Sequence, residues 1–274
     1  MSRLPTIFFG HGSPVIALQQ NETTRSWHAL ARAMQRPRAI LCISAHWLTR
    51  GVQVTGQDRP PTIHDFVGFP RALHEFKYPA PGNPALARRV RELLTPVPVS
   101  ADHAWGFDHG CWTVLMKAWP EAGIPVVQLS LDAGRSAAEH YALGRKLAPL
   151  RDEGVLIMGT GNIVHNTQAL DRREDVPVHP LALQFSRAIK AAILDDEPKK
   201  VVDFARLGKA ASVAVPTPDH FWPLLYVLGA RHPDDDVAFE PDYFQYGTID
   251  MTTITLGSQA ARRGPAGVEV KVAR

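Results

Sequence analysis

The sequence predicts an α/β fold: a single domain with a central, mostly parallel (mixed) β-sheet flanked by helices on both faces. Three observations predict it. Short β-branched runs recur along the chain and are almost wholly apolar, the mark of strands buried on both faces. Helical signals fall between those runs, as in alternating architectures. No repeat, low-complexity stretch or composition break divides the 274 residues, a length that one α/β domain commonly holds.

Taken in order, strands are expected at 6–9, 39–43, 52–55, 124–129, 155–158, 212–215 and 251–256. Asn83 before Pro84 places a capping side chain ahead of a proline at the first helical position, opening a helix that runs to about Leu94. Ser136 with Glu139 forms a capping box, opening a helix toward Leu147. Residues 181–194 carry apolar side chains at helical spacing, and 201–207 read as a further short helix. The stretch 58–84 holds six prolines and no clear period. A loop of that length is uncommon unless functional, so it is a candidate site wall or lid, with a short helix near 69–76 as the alternative.

The catalytic domain is expected over 1–257, followed by a basic C-terminal tail, 258–274, either flexible or an edge strand. The tail carries Arg262, Arg263, Lys271 and Arg274 against Glu269, which accounts for the whole net charge of +3. A body of zero net charge argues against nucleic-acid binding, which needs a basic face. Two cysteines, Cys42 and Cys111, are too few for a disulfide framework or a Cys-rich zinc module. The apolar run at 6–9 is too short for a signal core, and no run approaches a membrane span. A cytoplasmic protein without membrane contact is expected. Its 23 prolines exceed the usual ~5% share.

The 12 histidines need an account. His11, His46, His165 and His220 each follow a predicted buried strand within a few residues. In open α/β sheets, ligands bind outside the carboxyl ends of the strands, so parallel strands would gather four imidazoles at one edge. Neutral imidazole ligates zinc, iron, copper and nickel. The loops carrying these residues are specialised. Gly10 and Gly12 bracket His11, Gly159-Thr160-Gly161-Asn162 precedes His165, and Pro216 and Pro218 stiffen the approach to His220. One histidine so placed is usually an ordinary hydrogen-bonded residue; four in the same context point to a metal site.

Other signals are weaker. Cys111 and His109 are too close in sequence to face each other as a nucleophile pair, though His109 suits a pocket. His28, His140, His179 and His232 read as solvated, while His64, His74 and His103 are surface or pocket rim. The chain lacks GxxxxGK[ST], GxSxG and HExxH, and Gly159-Thr160-Gly161 lacks the third glycine of a dinucleotide loop.

Six motifs occur together in one order: His11-Gly12-Ser13-Pro14, Ser44-Ala45-His46-Trp47, Tyr78-Pro79-Ala80-Pro81-Gly82-Asn83-Pro84, Asp108-His109-Gly110-Cys111-Trp112, Gly159-Thr160-Gly161-Asn162 with His165-Asn166, and Pro218-Asp219-His220-Phe221. This set resembles the 4,5-DOPA extradiol dioxygenase family, within the class III extradiol ring-opening dioxygenases. The resemblance runs from His11 to about Leu256. It implies that His11, His46 and His220 hold one divalent metal per chain, Fe(II) for dioxygenase activity, with Zn(II) also able to occupy a three-histidine site. His165 is then the acid/base or a fourth ligand, and His109 contacts substrate or oxygen. Better-known relatives use two histidines and a carboxylate; here the third position is His220, with Asp219 the only carboxylate near it in sequence.

The implied reaction opens the ring of a catechol, DOPA-like or related, with O₂ to give a semialdehyde. It needs an open metal face, a base and an acid. Phe66, Phe69, Tyr78, Trp105 and Trp112 are candidates for an apolar wall against a flat ring. The same histidines would also suit a zinc-dependent hydrolase, or a metal-binding scaffold without catalysis. The sequence leaves the oligomeric state open.

Overall fold

The structure, a computed structural model, describes residues 3–173 and 176–257. The tail 258–274 lies outside the described residues. In chain order the strands are β1 (Thr6–Gly10), β2 (Ala39–Thr49), β3 (Val52–Thr55), β4 (Val99–Asp102), β5 (Val126–Asp132), β6 (Val155–Gly161), β7 (Asp236–Phe239), β8 (Phe244–Gln245), β9 (Ile249–Asp250) and β10 (Ile254–Gly257). Among the described residues, eight form one sheet in the order β4-β3-β5-β2-β6-β1-β10-β7, while β8 and β9 pair separately. The centre, β5-β2-β6-β1, is parallel. Antiparallel pairing of β3 with β5, and of β10 with β1, makes the whole sheet mixed.

Both faces of the central strands are buried, as the apolar runs predict. Alternation decides which layer each residue joins. Ile7, Phe9, Ile40, Cys42, Leu156 and Met158 face one core, shared with Trp27 of helix Glu22–Ala33 and Trp112 of helix His109–Ala118. Leu41, Ile43, Val155 and Ile157 face the other, against Val90 of helix Pro84–Leu94 and Leu147 of helix Ala137–Leu147. Phe8, Ile254 and Leu256 extend that second layer under helices Pro180–Leu194 and Trp222–Gly229. The predicted caps form: Asn83 accepts the N–H of Leu86 at 3.0 Å, and Ser136 and Glu139 cap each other's backbone.

One predicted strand is a helix. Residues 212–215 fall largely within helix Lys209–Ala214, where Ala210, Ala211 and Ala214 pack in the layer of helix Pro180–Leu194. Alanine favours helix, and a short run with two β-branched residues, Val213 and Val215, does not outweigh it. His220 therefore follows a helix, not a strand. His140, read as solvated, is buried: its Nδ1 lies 3.0 Å from Tyr226 Oη and its ring stands against Trp222. The long proline-rich stretch contains a short helix, Arg71–Glu75, between irregular segments. No helix of the described residues is long and apolar enough to cross a membrane.

Candidate active site

Five histidines meet at the carboxyl edge of the parallel strands, brought there by three local devices. His11 is the first residue after β1. A Cβ on Gly10 would stand 2.6 Å from the Met251 carbonyl carbon, so only glycine lets the chain pass, and Gly12 turns away at φ +61°. His46 lies within β2, where the register against β5 shifts between Ile43 and Leu48. His165 follows β6, its N–H held by the Ala214 carbonyl at 2.9 Å.

The other two come from helix starts. Asp108 caps the helix that begins with His109, accepting the N–H of Cys111 at 3.1 Å. Ser44 and Gln128 donate to the same carboxylate at 2.6 and 2.8 Å, anchoring the cap to β2 and β5. His220 precedes helix Trp222–Gly229, and its carbonyl accepts the N–H of Asn162 at 2.9 Å. The start of this helix rests on a glycine-lined patch of β6: a Cβ on Gly159 or Gly161 would meet the Pro223 or His220 carbonyl oxygen at 2.7 or 2.1 Å.

The rings are in contact. Centroids of His11 and His46 are 5.1 Å apart, those of His46 and His109 3.8 Å, and His220 stands 5.5 and 5.0 Å from His11 and His46. His165 lies flat on His220 at 3.5 Å, with an interplanar angle of 4°. Burial and the neighbouring rings hold His11 and His46 well below the ordinary imidazole range. His165 is pushed down to about 3 by burial and by His220, so all three are neutral at pH 7.

Carboxylates brace the far sides of the rings. His220 Nδ1 is 2.5 Å from Asp219 Oδ2. Burial works to raise Asp219, but hydrogen bonds from His220, Thr217 and the backbone, together with the charge of His220, outweigh it and keep the carboxyl ionised. Asp65, absent from the sequence reading, lies 3.0 Å from His109 Nδ1 and 3.6 Å from His46 Nδ1. The short contact to Asp219 favours the ring proton on His220 Nδ1, which turns its Nε2 toward the cluster as a lone pair, as in metal sites where an outer carboxylate orients the ligand.

These residues fit a metal ion. His11 Nε2 and His46 Nε2 are 3.0 Å apart, and His11 Nδ1 is buried without a hydrogen-bond partner. Two nitrogens sharing one ion at ~2.0–2.1 Å stand about 3 Å apart, so a cation would satisfy the pair. Among the described residues, one ligand nitrogen each from His11, His46 and His109 lie within 4.8 Å of one another. Cys111 offers no alternative chemistry, since burial pushes its thiol well up.

An aromatic wall adjoins the rings. Phe66 lies 5.7 Å from His109 and packs on Phe69 and Trp112, whose indole N–H donates to the Ile63 carbonyl at 3.0 Å. Two predicted wall residues sit elsewhere. Tyr78 is buried, with its hydroxyl on the Trp119 carbonyl, and Trp105 stacks on Trp47.

The model of the family described as the catalytic LigB subunit of aromatic ring-opening dioxygenase matches residues 5–256. The chain belongs to this family. Among LigB-family relatives, the chain is 45% identical over 260 residues to the Escherichia coli K12 protein named 4,5-DOPA dioxygenase extradiol, covering 93% of this chain and 96% of that one. It is 39% identical to the Beta vulgaris protein of the same name, over 82% of this chain and 86% of that one. The fold matches the crystal structure of protein JW3007 from E. coli K12 with a TM-score of 0.81 and 40% identity, covering 93% of this chain and all of that one. This LigB-family chain is an extradiol ring-cleavage dioxygenase.

All five histidines singled out from the sequence come together here. The placement rule behind them holds for His11 and His165. It fails for His46, which lies inside its strand, and for His220. Asp65 had no sequence signal, because only the fold brings it beside residues 19 and 44 positions away.

Proposed function

We propose that this enzyme uses O₂ to open the ring of a DOPA-like catechol bearing an amine or carboxylate tail, giving a semialdehyde, with one Fe(II) held by His11, His46 and His220. The observation that carries the reading is the convergence of five rings at one edge, with His11 Nε2 and His46 Nε2 3.0 Å apart and the outer sides of His46, His109 and His220 facing Asp65 and Asp219. The names of the E. coli and Beta vulgaris relatives support the substrate class. Bound Fe(II) would bring the catechol oxygens and O₂ together and pass electrons between them.

The chain's own residues supply the rest. His165 is neutral, partly exposed and stacked on His220, so it can take a catechol hydroxyl proton and later return it. His109, with its Nδ1 on Asp65, is placed to contact the substrate or oxygen. Phe66, Phe69 and Trp112 offer an apolar face for the ring.

The test is anaerobic Fe(II) loading followed by air and L-DOPA. A coloured semialdehyde with stoichiometric O₂ uptake is expected. No O₂ uptake across a panel of catechols by protein that holds Fe(II) would overturn the substrate assignment. Metal content of the His11→Ala, His46→Ala, His220→Ala and His109→Ala variants fixes the ligand set. Metal lost on His109→Ala and kept on His220→Ala would exchange those two roles.

A further inference from the structure

The proline-rich loop brings one charged side chain to the site from outside the histidine segments. Asp65 lies between His46 and His109, with its side chain 18% exposed. Its Oδ1 accepts the backbone N–H of His109 at 2.9 Å and lies 3.0 Å from the Nδ1 of the same residue. Its Oδ2 lies 3.6 Å from His46 Nδ1. One carboxylate thus faces both rings, and the rings are themselves 3.8 Å apart at their centroids.

A carboxylate only accepts hydrogen bonds, and a neutral imidazole carries one proton. At 3.0 Å a bare Nδ1 on His109 would set a lone pair against the carboxylate, so the proton belongs on that nitrogen, while at His46, 3.6 Å away and beyond hydrogen-bond reach, Asp65 acts through its charge alone. Turning either ring over would bring a lone pair against an anion. The loop that delivers Asp65 is itself held in place. Ile63 donates its N–H to the Phe107 carbonyl at 2.7 Å, and Thr62 Oγ1 accepts the N–H of Tyr78 at 2.9 Å. The next residue, Phe66, supplies the aromatic ring beside His109.

We propose that Asp65 is a positioning residue that fixes His46 and His109 together as Nδ1–H tautomers, and that it couples their alignment to the seating of Phe66 against the site. The inference rests on the reading of the histidine cluster as the metal and substrate site. Asp219 and Asp108 are sequence neighbours of the histidines they serve, whereas Asp65 comes from a separate loop. Its loss therefore uncouples the loop from the rings without altering either histidine.

The test uses the full chain in the Asp65→Ala, Asp65→Asn and Asp65→Glu forms. Nitrogen NMR of the metal-free protein at neutral pH reads the tautomers directly. In the parent, His46 and His109 should both show a protonated Nδ1 and a bare Nε2. Asp65→Ala should lose that uniform state at both rings. Asp65→Asn, with one acceptor oxygen in place of two, should keep it at one ring only, and Asp65→Glu should restore part of it. Titration with Co(II) gives a second readout, with affinity falling 10–100-fold in Asp65→Ala, the usual effect of removing an outer partner of a metal ligand. Unchanged tautomers in folded Asp65→Ala, or in Asp65→Asn if the alanine form does not fold, overturn the proposal. A parent that binds no Co(II), but whose tautomers still depend on Asp65, would defeat the metal reading and leave this inference standing.

Discussion

Replacing Gly161 with alanine should disable the enzyme without replacing any of the five histidines. Gly161 ends β6, and a Cβ there would stand 2.1 Å from the His220 carbonyl oxygen and 3.0 Å from its carbonyl carbon. Side-chain carbons in folded proteins rarely approach closer than about 3.2 Å, so roughly 1 Å must be recovered by movement. The obstructing atom is backbone and cannot swing aside. It is also tied to the next residue of the strand exit, accepting the N–H of Asn162 at 2.9 Å. Relief must therefore shift His220, and with it the ring of His165 stacked at 3.5 Å. Overpacking of this kind destabilises by about 1–3 kcal/mol, which in a chain of this size lowers Tm by roughly 2–12 °C. A 1 Å displacement at a reacting centre lowers turnover about 10²-fold. The assay is O₂ uptake with a catechol, alongside metal content and thermal unfolding, with Gly134→Ala as control because its Cβ would meet nothing closer than 3.4 Å. A Gly161→Ala enzyme with parental turnover and Tm would refute the reasoning.

Three further outcomes are expected. His165→Ala should keep the metal and lose turnover by about 10²–10⁴-fold if the ring is the acid/base; loss of metal instead would make it a ligand, and normal content with a normal rate would remove both roles. Asp235→Ala should destabilise by about 3–5 kcal/mol, because it strands the Arg151 guanidinium, 1% exposed and paired to Asp235 at 2.6 and 2.8 Å, without its counter-charge; denaturant unfolding reads it, and a change under 1 kcal/mol would contradict the account. Burial pushes His140 down to about 4, from an ordinary value near 6.5, so the unfolded chain takes its proton first: the stability it contributes is complete above about pH 6.5 and falls by about 3 kcal/mol as pH drops through 4. His140→Leu should flatten the stability–pH curve between 4 and 6.5, and superimposable curves would show that the ring is not held neutral.

Much of this molecule was legible in its sequence, for physical reasons. Strands buried on both faces must be apolar throughout, so β1, β2, β3 and β6 announce themselves, and the capped helices Pro84–Leu94 and Ala137–Leu147 start and stop where their signals lie. Helix Trp222–Gly229 gave no periodic signal, because it is buried on all sides and its residues are apolar all round. The run 212–215 misled because four residues are too few to tell a strand from a helix, and the alanines that place the helix, Ala210 and Ala211, lie before it. The histidines could be collected because strand ends in such a fold share one edge, although two of the five arrive from helix starts. His140 was misjudged for the opposite reason: a polar residue on a helix is buried once Tyr226 and Trp222 enclose it, and those partners lie more than 80 positions away. Asp65 was illegible for the same cause, since nothing local tells a loop aspartate which rings it will meet.

The five rings enter from residues 11, 46, 109, 165 and 220. No contiguous half of the chain holds them all, and no two are linked by a hairpin or a single turn. The cluster comes into being only when β1, β2 and β6 lie side by side and helix Trp222–Gly229 has settled on the glycines of β6. Such long-range pairings form late and slowly in a folding chain. Any ligand that requires the assembled rings is therefore blind to nascent or partly folded forms. Its binding energy goes entirely to the finished molecule, so occupancy of the site records completed synthesis and raises resistance to unfolding across the whole sheet.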